Sequence, residues 1–219
     1  MKSRTSLLFA SINKRQNPSE LLTWLMLRRE LQQSASVLDV GCGASPTMRN
    51  LGTPQLTGVD AYAPAIEKAR QLKTHDNLVL GDVRNLMASF KPKSFDACVA
   101  LDVIEHLPKP EGFKLMAEME QIARKKVIFL TPSGFLPQGN TDADDYQRHY
   151  SGWEAEEMRA HGYQVYGLLG PKAWRGEYHR ILRKPAPFWA LASLLTHVVW
   201  THSRPQNSAA ILCVKTLPG

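Results

Sequence analysis

Residues 36–43 read Ser-Val-Leu-Asp-Val-Gly-Cys-Gly, and this segment is the strongest indication of the fold class. Its first five residues are typical of a short buried strand, and two glycines follow where that strand ends. Glycine permits a tight turn and lets a ligand approach the backbone closely. The third glycine of the dinucleotide-binding fingerprint is absent, so no pyrophosphate cradle is required. The stretch therefore predicts a strand that leads into a ligand-binding turn.

Short apolar runs of the same kind recur along the chain and alternate with helical patterns. The predicted strands after the first cover residues 56–59, 77–80, 95–101, 126–130, 163–168 and 209–215. The predicted helices cover about 19–33, 46–51, 64–73, 111–123 and 154–161. This alternation predicts an α/β fold, a Rossmann-like and mostly parallel seven-stranded sheet with helices on both faces. The last two strands lack a helical crossover of the usual kind, which favours an antiparallel last strand.

One domain over residues 1–219 is the simplest organisation for a chain of this length. Its predicted parts are a flexible arm (1–17), an N-terminal helix (18–34), a ligand-binding core (35–169), a helical insertion (170–208) and the last strand (209–215).

Composition limits the classes of protein to which the chain can belong. The formal net charge of +7 favours anionic partners without choosing among phosphates, nucleic acid and acidic membrane surfaces. The three cysteines are widely spaced and form no CxxC pair, which argues against a disulfide framework or a zinc knuckle. No stretch approaches the roughly 20 apolar residues of a membrane span. We expect a cytoplasmic protein that can also associate with a membrane surface.

Acidic residues at two further strand ends suggest a nucleoside. Asp60 lies 21 positions beyond Asp39, at the end of the second strand, where a carboxylate can accept hydrogen bonds from both ribose hydroxyls. Asp82 ends the third strand, where it could accept an amino proton of adenine. Each residue alone could equally cap a helix or end a solvated loop. Together with the glycine turn, they indicate an adenosine without a pyrophosphate, which is the footprint of S-adenosylmethionine.

The sequence resembles the class I S-adenosylmethionine-dependent methyltransferases in four successive motifs, VLDVGCG, GVDAY, GDVRNL and FDACVALDVIEHL. The resemblance implies S-adenosylmethionine as cofactor and a seven-stranded sheet with an antiparallel last strand. It also implies three groups of cofactor contacts: Asp39, Gly41 and Gly43 around the methionine part, Asp60 at the ribose with Asp82 and Val83 at the adenine, and Leu101 with Asp102 as the floor.

Later segments, LTPSGFLPQ, DYQRHYSGW and HGYQVYGLLG, look like a bacterial subgroup of the same enzymes. That subgroup implies no particular substrate. One departure is visible, because residues 123–126 (Ala-Arg-Lys-Lys) replace the common KPGG turn. We expect this departure to alter a surface loop and not the chemistry.

The end of the fourth strand offers candidate catalytic groups. Methyl transfer to a hydroxyl needs a group that positions the acceptor and removes its proton. His106, or His149 in the loop after the fifth strand, could act as that base, since histidine has a reference pKa of about 6.5. The alternative is that Glu105 and His106 only shape the loop and cap the next helix. Cys42 is expected to be a small residue beside the cofactor and not a catalytic thiol.

A metal site is a second alternative at the same place. The favoured assignment includes no metal ion, but Asp102, Glu105, His106 and His149 are all suitable ligands for a divalent ion. This arrangement looks somewhat like that of the small-RNA 2′-O-methyltransferases, which use such a metal. Those enzymes carry Glu where this chain has Asp102, and a second histidine where Tyr150 follows His149.

The insertion is the main clue to the acceptor. Residues 172–184 are basic and include Trp174 and Tyr178, whereas residues 187–200 are almost wholly apolar. The segment could form a lid with its apolar side chains in the core, contact a membrane interface through 187–200, or, less favourably, bind single-stranded nucleic acid.

We therefore expect O-methylation of a small-molecule, glycan or lipid-linked acceptor. The enzymatic alternative is RNA ribose 2′-O-methylation with a metal site. The alternative to an enzyme is a non-catalytic binding module that keeps the fold of a cofactor-binding protein. Such a module does not need an intact set of cofactor residues, so the set present in this chain argues against it.

Overall fold

The computed structural model describes residues 18–137, 148–176 and 180–218. Its seven strands are β1 (Ser36–Val40), β2 (Gln55–Asp60), β3 (Asn77–Leu80), β4 (Phe95–Leu101), β5 (Ala123–Pro132), β6 (Gln164–Pro171) and β7 (Ser208–Thr216). They form one sheet in the order β3-β2-β1-β4-β5-β7-β6. All neighbouring strands from β3 to β5 are parallel, and β7 is antiparallel to both β5 and β6. The predicted sheet, including its antiparallel last strand, is confirmed.

The strand order places a binding site at one edge of this sheet. The chain runs outward from β1 through β2 to β3 and then returns to β4 on the other side of β1. Ligands of open α/β sheets bind beyond the carboxyl ends of the strands at such a reversal of order. The carboxyl edge near β1 and β4 is therefore where the candidate residues are expected to meet.

The helices are α1 (Pro18–Leu31), α2 (Thr47–Asn50), α3 (Ala63–Leu72), α4 (Lys109–Ile122), α5 (Ala155–Ala160) and α6 (Ala186–Thr196). Most boundaries agree with the sequence prediction within two residues. The start of α2 was placed wrongly, since Pro46 occupies the N-cap and not the first helical position. There the Ser45 hydroxyl accepts a bond of 3.3 Å from the Thr47 amide.

Two apolar cores cover the two faces of the sheet. In β1, Leu38 belongs to the core that includes Met119 of α4, whereas its neighbour Val37 belongs to the core that includes Leu27 of α1. Consecutive strand residues point to opposite faces, so a strand buried on both sides carries apolar residues towards both cores. This arrangement confirms helices on both faces.

The Ala-Arg-Lys-Lys segment does not form the surface loop that the sequence analysis expected. Strand β5 begins at Ala123, directly after α4 ends, and not at Lys126 as predicted. The reason is Asp96 at the start of β4, whose buried carboxylate pairs with Arg124 at 2.9 Å and with Lys125 at 3.1 Å. These ion pairs hold the charged residues in strand conformation.

The helical insertion leaves and re-enters the sheet at its carboxyl edge, because Pro171 pairs with Ser208 and Pro132 with Ala210. Helix α6 continues into a π-helical turn, His197–Thr201. Helix α6 packs on β6 and α1, and the π-helical turn packs on β6.

The prediction that the apolar side chains of this insertion pack in the core is wrong for most of them. Ser193, His197 and Thr201 are the side chains that α6 and the π-helical turn bury. The large apolar side chains are exposed instead: Phe188, Leu191, Leu195, Val198, Val199 and Trp200. Tyr178 lies outside the described residues. Within the described part of the chain, no helix is long and apolar enough to cross a membrane.

Candidate active site

The turn after β1 opens a space for a ligand. Gly41 and Gly43 have φ values of +67° and +52°, which favour glycine. A side chain at Gly41 would place its Cβ 2.5 Å from Val103, so the backbone is closely packed on that side. At Gly43 a Cβ would meet nothing within 4 Å. The turn therefore offers bare backbone towards open space, as a close ligand requires.

Asp60 ties the end of β2 to this turn. One carboxylate oxygen accepts a hydrogen bond of 2.8 Å from the Gly43 amide, and the other accepts one of 2.8 Å from the Tyr62 amide. The Asp60 side chain is half-buried. The structure thus brings together the glycine turn and the acidic strand end that the sequence placed 17 residues apart.

Asp39 is enclosed beneath the turn. Its carboxylate lies 3.0 Å from Nε2 of His75, and Nδ1 of that ring lies 2.8 Å from the Thr74 hydroxyl. Burial raises the pKa of Asp39, and the hydrogen bond and the charge of His75 offset part of that effect. The sequence analysis missed His75, because it precedes β3 without any local pattern and reaches Asp39 only through the pairing of the strands.

Asp82 begins the 3₁₀ turn Val83–Ala88 that follows β3. It accepts a hydrogen bond from the Arg84 amide at 2.9 Å, and the Arg84 guanidinium lies 2.6 Å from the same carboxylate. The hydrogen bond from the Arg84 side chain is the main cause that lowers the pKa of Asp82. A nucleoside that contacts Asp82 must therefore share this carboxylate with Arg84. Val83 beside it is half-buried.

Asp102 follows β4 in a left-handed conformation, with φ of +54°. Its amide donates a hydrogen bond of 2.8 Å to the Leu130 carbonyl, which links the ends of β4 and β5. The residue lies at the carboxyl edge, where desolvation raises the pKa of Asp102 to about 6. Leu101 before it is half-buried.

Glu105 is the most deeply buried acidic residue here, with 2% of its surface exposed. It lies in the 3₁₀ turn Ile104–His106, where its carboxylate accepts a hydrogen bond of 3.0 Å from the Thr131 hydroxyl. Its backbone carbonyl accepts the amides of Tyr150 (2.8 Å) and Ser151 (3.1 Å). Burial, and next the charge of Asp102, raise the pKa of Glu105. No local sequence pattern indicated this contact of Glu105 with Thr131, as was also the case for the contact of Asp39 with His75.

The same backbone bonds bring His149 to His106. The two ring centroids lie 4.8 Å apart, with the ring planes inclined at 71°. Nδ1 of His106 lies 3.1 Å from the Arg148 carbonyl, and Nδ1 of His149 lies 2.6 Å from the Leu136 carbonyl. Because a carbonyl only accepts, both Nδ1 atoms must donate, which leaves Nε2 as the basic nitrogen of each neutral ring. Burial is the main cause that lowers the pKa of both histidines.

Glu105, His106 and His149 each offer one potential metal-ligand atom, and these atoms lie within 4.8 Å of one another. Among the described residues, these three are the His, Cys, Asp or Glu side chains whose ligand atoms come together in this way. Asp102 is not one of them. The cluster can thus accept a proton or hold a cation.

Cys42 is buried between the turn and β2, and its thiol contacts the Gly43 carbonyl at 3.5 Å. Burial raises the pKa of this thiol, so the protonated form dominates. Its position favours a packing role over nucleophilic chemistry.

A family model described as a methyltransferase domain matches residues 38–131. The mitochondrial ubiquinone biosynthesis O-methyltransferase of Schizosaccharomyces pombe is 30% identical over 110 residues, which cover 47% of this chain and 39% of that protein. The ubiquinone biosynthesis O-methyltransferase of Xanthomonas euvesicatoria is 36% identical over 122 residues, which cover 52% and 46%. The chain therefore matches less than half the length of these curated relatives.

Among solved structures, the N-methyltransferase NodS of Bradyrhizobium japonicum, in complex with S-adenosyl-L-homocysteine, has a TM-score of 0.58. The alignment covers 99% of this chain and 98% of that chain at 15% identity. At this identity the likeness shows the common fold alone.

Proposed function

We propose that this chain is a class I S-adenosylmethionine-dependent methyltransferase and that it transfers the cofactor's methyl group to a hydroxyl oxygen of a small-molecule acceptor. One observation carries the proposal. A glycine turn tied to Asp60 and a pair of histidines lie at the carboxyl ends of neighbouring strands of one sheet. The first arrangement suits an adenosine-bearing cofactor, and the second suits removal of a hydroxyl proton.

The cofactor would supply a methyl group that its sulfonium sulfur already activates. We assign the methionine part to the open turn at Gly41 and Gly43 over Asp39, where bare backbone permits close approach. Asp60 would bind the ribose and Asp82 with Val83 the adenine, as the resemblance implies. Leu101 and Asp102 would line the floor.

His106 and His149 are the proposed catalytic residues. Their lowered pKa values favour the neutral ring at neutral pH, which is the form that accepts a proton. The backbone carbonyls of Arg148 and Leu136 fix both rings in the tautomer with a basic Nε2. An oxygen acceptor is favoured because a hydroxyl must lose a proton during methylation. The two curated relatives are O-methyltransferases, which supports the same choice.

Transfer of a labelled methyl group tests this function. Purified protein is incubated with labelled S-adenosylmethionine and a host extract, and lipid, RNA, protein and small-molecule fractions are separated. We expect label in the small-molecule or lipid fraction, and less label with an Asp60→Ala control at the same limiting cofactor concentration. Label in RNA would instead favour ribose methylation. Absence of label everywhere, with cofactor binding measured directly, would favour the non-catalytic binding module.

We further propose that the acceptor is linked to a lipid and that the insertion contacts the membrane surface. Exposed apolar side chains recur along α6 and the π-helical turn, from Phe188 (60% exposed) to Val199 (82% exposed). Arg183 lies 4.9 Å from the ring centroid of Trp189, so a cation adjoins the apolar face. Trp and basic side chains together favour the headgroup region of an acidic membrane.

Sedimentation with phosphatidylglycerol vesicles tests this contact. Val199→Asp should reduce binding because it places a charge in the apolar face, whereas Leu72→Asp on α3, another exposed apolar position, should not. Equal binding of all three proteins, or no binding of the unmodified protein, would contradict the membrane proposal without affecting methyl transfer to a soluble acceptor.

A further inference from the structure

We infer that His75 is a positioning residue for the cofactor, because it holds the Asp39 carboxylate ready to bind the ammonium group of the methionine part. This role rests on the proposed function, since it needs S-adenosylmethionine at the glycine turn. Three structural features support it: the path by which the His75 ring reaches Asp39, the direction of the hydrogen bonds, and the oxygen that remains available on Asp39.

The ring of His75 reaches Asp39 across an intervening strand. His75 lies between α3 and β3, whereas Asp39 lies on β1, and β2 separates β3 from β1. The residue of β2 that pairs with Asp39 is Gly58. A Cβ at Gly58 would lie 2.9 Å from a ring carbon of His75, so the absence of a side chain leaves room for the ring. Gly58 therefore permits a contact between residues on either side of β2.

The hydrogen bonds run from Thr74 through His75 to Asp39. The Thr74 hydroxyl lies 2.8 Å from Nδ1 of His75 and 3.3 Å from the Ala69 carbonyl, which already accepts the Thr74 amide. The shorter contact favours donation from the hydroxyl to Nδ1, which places the ring proton on Nε2. Nε2 then donates to the Asp39 carboxylate at 3.0 Å and stabilises its ionised form.

Asp39 depends on this hydrogen bond because the pair is buried. The side chain of His75 is fully buried, and that of Asp39 is 7% exposed. A buried carboxylate stays ionised only when a partner compensates for the water it has lost. Burial and the charge of Asp60 raise the pKa of Asp39, whereas the hydrogen bond and the charge of His75 lower it. Among the described residues, His75 is the donor to the Asp39 side chain.

One oxygen of Asp39 remains available to a ligand. His75 contacts Oδ2, and within the part of the chain that the structure describes no group donates to Oδ1. An ammonium group suits this position, because it combines a positive charge with three N–H donors. An ionised and oriented carboxylate binds such a group more strongly than a neutral carboxyl does. His75 should therefore affect binding of the methionine part and leave binding of the adenosine part unchanged.

The affinities of the full chain for two nucleosides test this role by calorimetry. S-adenosyl-L-homocysteine carries the amino acid part, whereas methylthioadenosine has the adenosine and the sulfur without it. In His75→Leu, we expect the affinity for S-adenosyl-L-homocysteine to fall roughly tenfold or more, as for the loss of a hydrogen bond to a charged group. The affinity for methylthioadenosine should stay unchanged.

Two further variants control this experiment. His75→Gln should restore the affinity for S-adenosyl-L-homocysteine, because its amide can still donate to Asp39. The matched control His161→Leu removes an exposed histidine of another element and should change neither affinity. Should His75→Leu fail to fold, Thr74→Val replaces it. Thr74→Val removes the hydroxyl that fixes the tautomer, so it should cause the same selective loss.

A loss of both affinities to the same extent would show that His75 only maintains the shape of the turn, and would overturn the positioning role. Unchanged affinity for S-adenosyl-L-homocysteine in His75→Leu or its replacement, or an equal loss in His75→Gln, would overturn it as well. Each of these results would leave the proposed function intact. Failure of the unmodified protein to bind either nucleoside would instead overturn the cofactor assignment, and the role of His75 with it.

Discussion

At the scale of single residues, a few carboxylates organise the carboxyl edge of the sheet. Asp60 holds the glycine turn through the Gly43 amide and holds the start of α3 through the Tyr62 amide. A ribose bound there would meet a carboxylate that backbone amides already orient. The entropic cost of ordering this side chain on cofactor binding is therefore small.

Replacement of Asp60 should therefore weaken cofactor binding. We expect Asp60→Ala to lower the affinity for S-adenosylmethionine by roughly 1.5–3 kcal/mol, the scale of charge-assisted hydrogen bonds. Isothermal titration calorimetry measures this change. Asp76→Ala is the matched control, because Asp76 also accepts a backbone amide, that of Leu56, at the other end of β2. Unchanged affinity in Asp60→Ala would contradict the ribose assignment.

Replacement of either histidine should affect turnover and not cofactor affinity. We expect His106→Ala or His149→Ala to reduce the rate of methyl transfer by about 10², as for a lost general base or a lost metal ligand. Steady-state rates with labelled cofactor, together with calorimetry, separate the two effects. Normal turnover in both variants would show that positioning alone suffices or that the base lies elsewhere.

At the scale of elements, the insertion packs on the sheet through glycine. Gly167 of β6 donates its amide to the His202 carbonyl at 3.1 Å, and a Cβ at Gly167 would lie 1.9 Å from the Thr201 carbonyl oxygen. Gly170, with φ of +74°, approaches Ser193 of α6 in the same way. Close backbone contact therefore fixes α6 on β6 and leaves its apolar side chains to point away from the core.

A side chain at Gly167 should separate these elements. We expect Gly167→Ala to lower the free energy of unfolding by about 1–3 kcal/mol or more, because a backbone carbonyl cannot move aside without cost. Urea denaturation followed by circular dichroism measures the loss. Gly176→Ala is the control, since its Cβ would meet only the end of the exposed Leu182 side chain, which can move. Equal stability of the two variants would contradict this account of the packing.

At the scale of the whole molecule, Asp96 joins three separate parts of the chain. Its carboxylate accepts the Ala35 amide at 2.8 Å before β1 and pairs with Arg124 and Lys125 of β5. Burial alone would raise the pKa of Asp96, but the amide and the two cations outweigh burial and lower that pKa to about 2. Ionised Asp96 is therefore favoured in the folded state relative to the unfolded chain.

This lowered pKa predicts a loss of stability in acid. The folded pKa lies below the unfolded value of 3.8, so the stabilisation is fully present above about pH 4 and disappears as the pH falls towards 2. We expect Asp96→Asn to cost about 2 kcal/mol at neutral pH, and this cost to shrink as the pH approaches 2.

Denaturation curves from pH 2 to pH 7 measure the cost for Asp96→Asn and for the control Glu67→Gln. Glu67 forms an exposed pair with Arg70, so its replacement should change stability little at any pH. A cost for Asp96→Asn that does not vary with pH would rule out the ionic explanation.

The amino-acid sequence alone was enough to predict the sheet and the residues that stand at its strand ends. Each of the strands β1 to β4 is a short apolar run that ends at, or is followed by, a glycine or an acidic residue. Such a local pattern does not depend on distant residues. The positions of Gly41, Asp60 and Asp102 at strand ends were therefore predictable without a structure. The proximity of His149 to His106 was likewise foreseeable, because both follow strands whose carboxyl ends share one edge.

The partner that each side chain contacts became known from the folded structure alone. The pairs of Asp39 with His75 and of Glu105 with Thr131 join residues 36 and 26 positions apart, and no spacing rule links them. Sequence prediction also failed for the side chains of the insertion. Its apolar sequence predicts burial, whereas its polar side chains pack against glycines of β6 and its large apolar side chains are exposed. Strand ends follow from local periodicity, but contacts between elements depend on the shape of both surfaces, which exists only after the chain has folded.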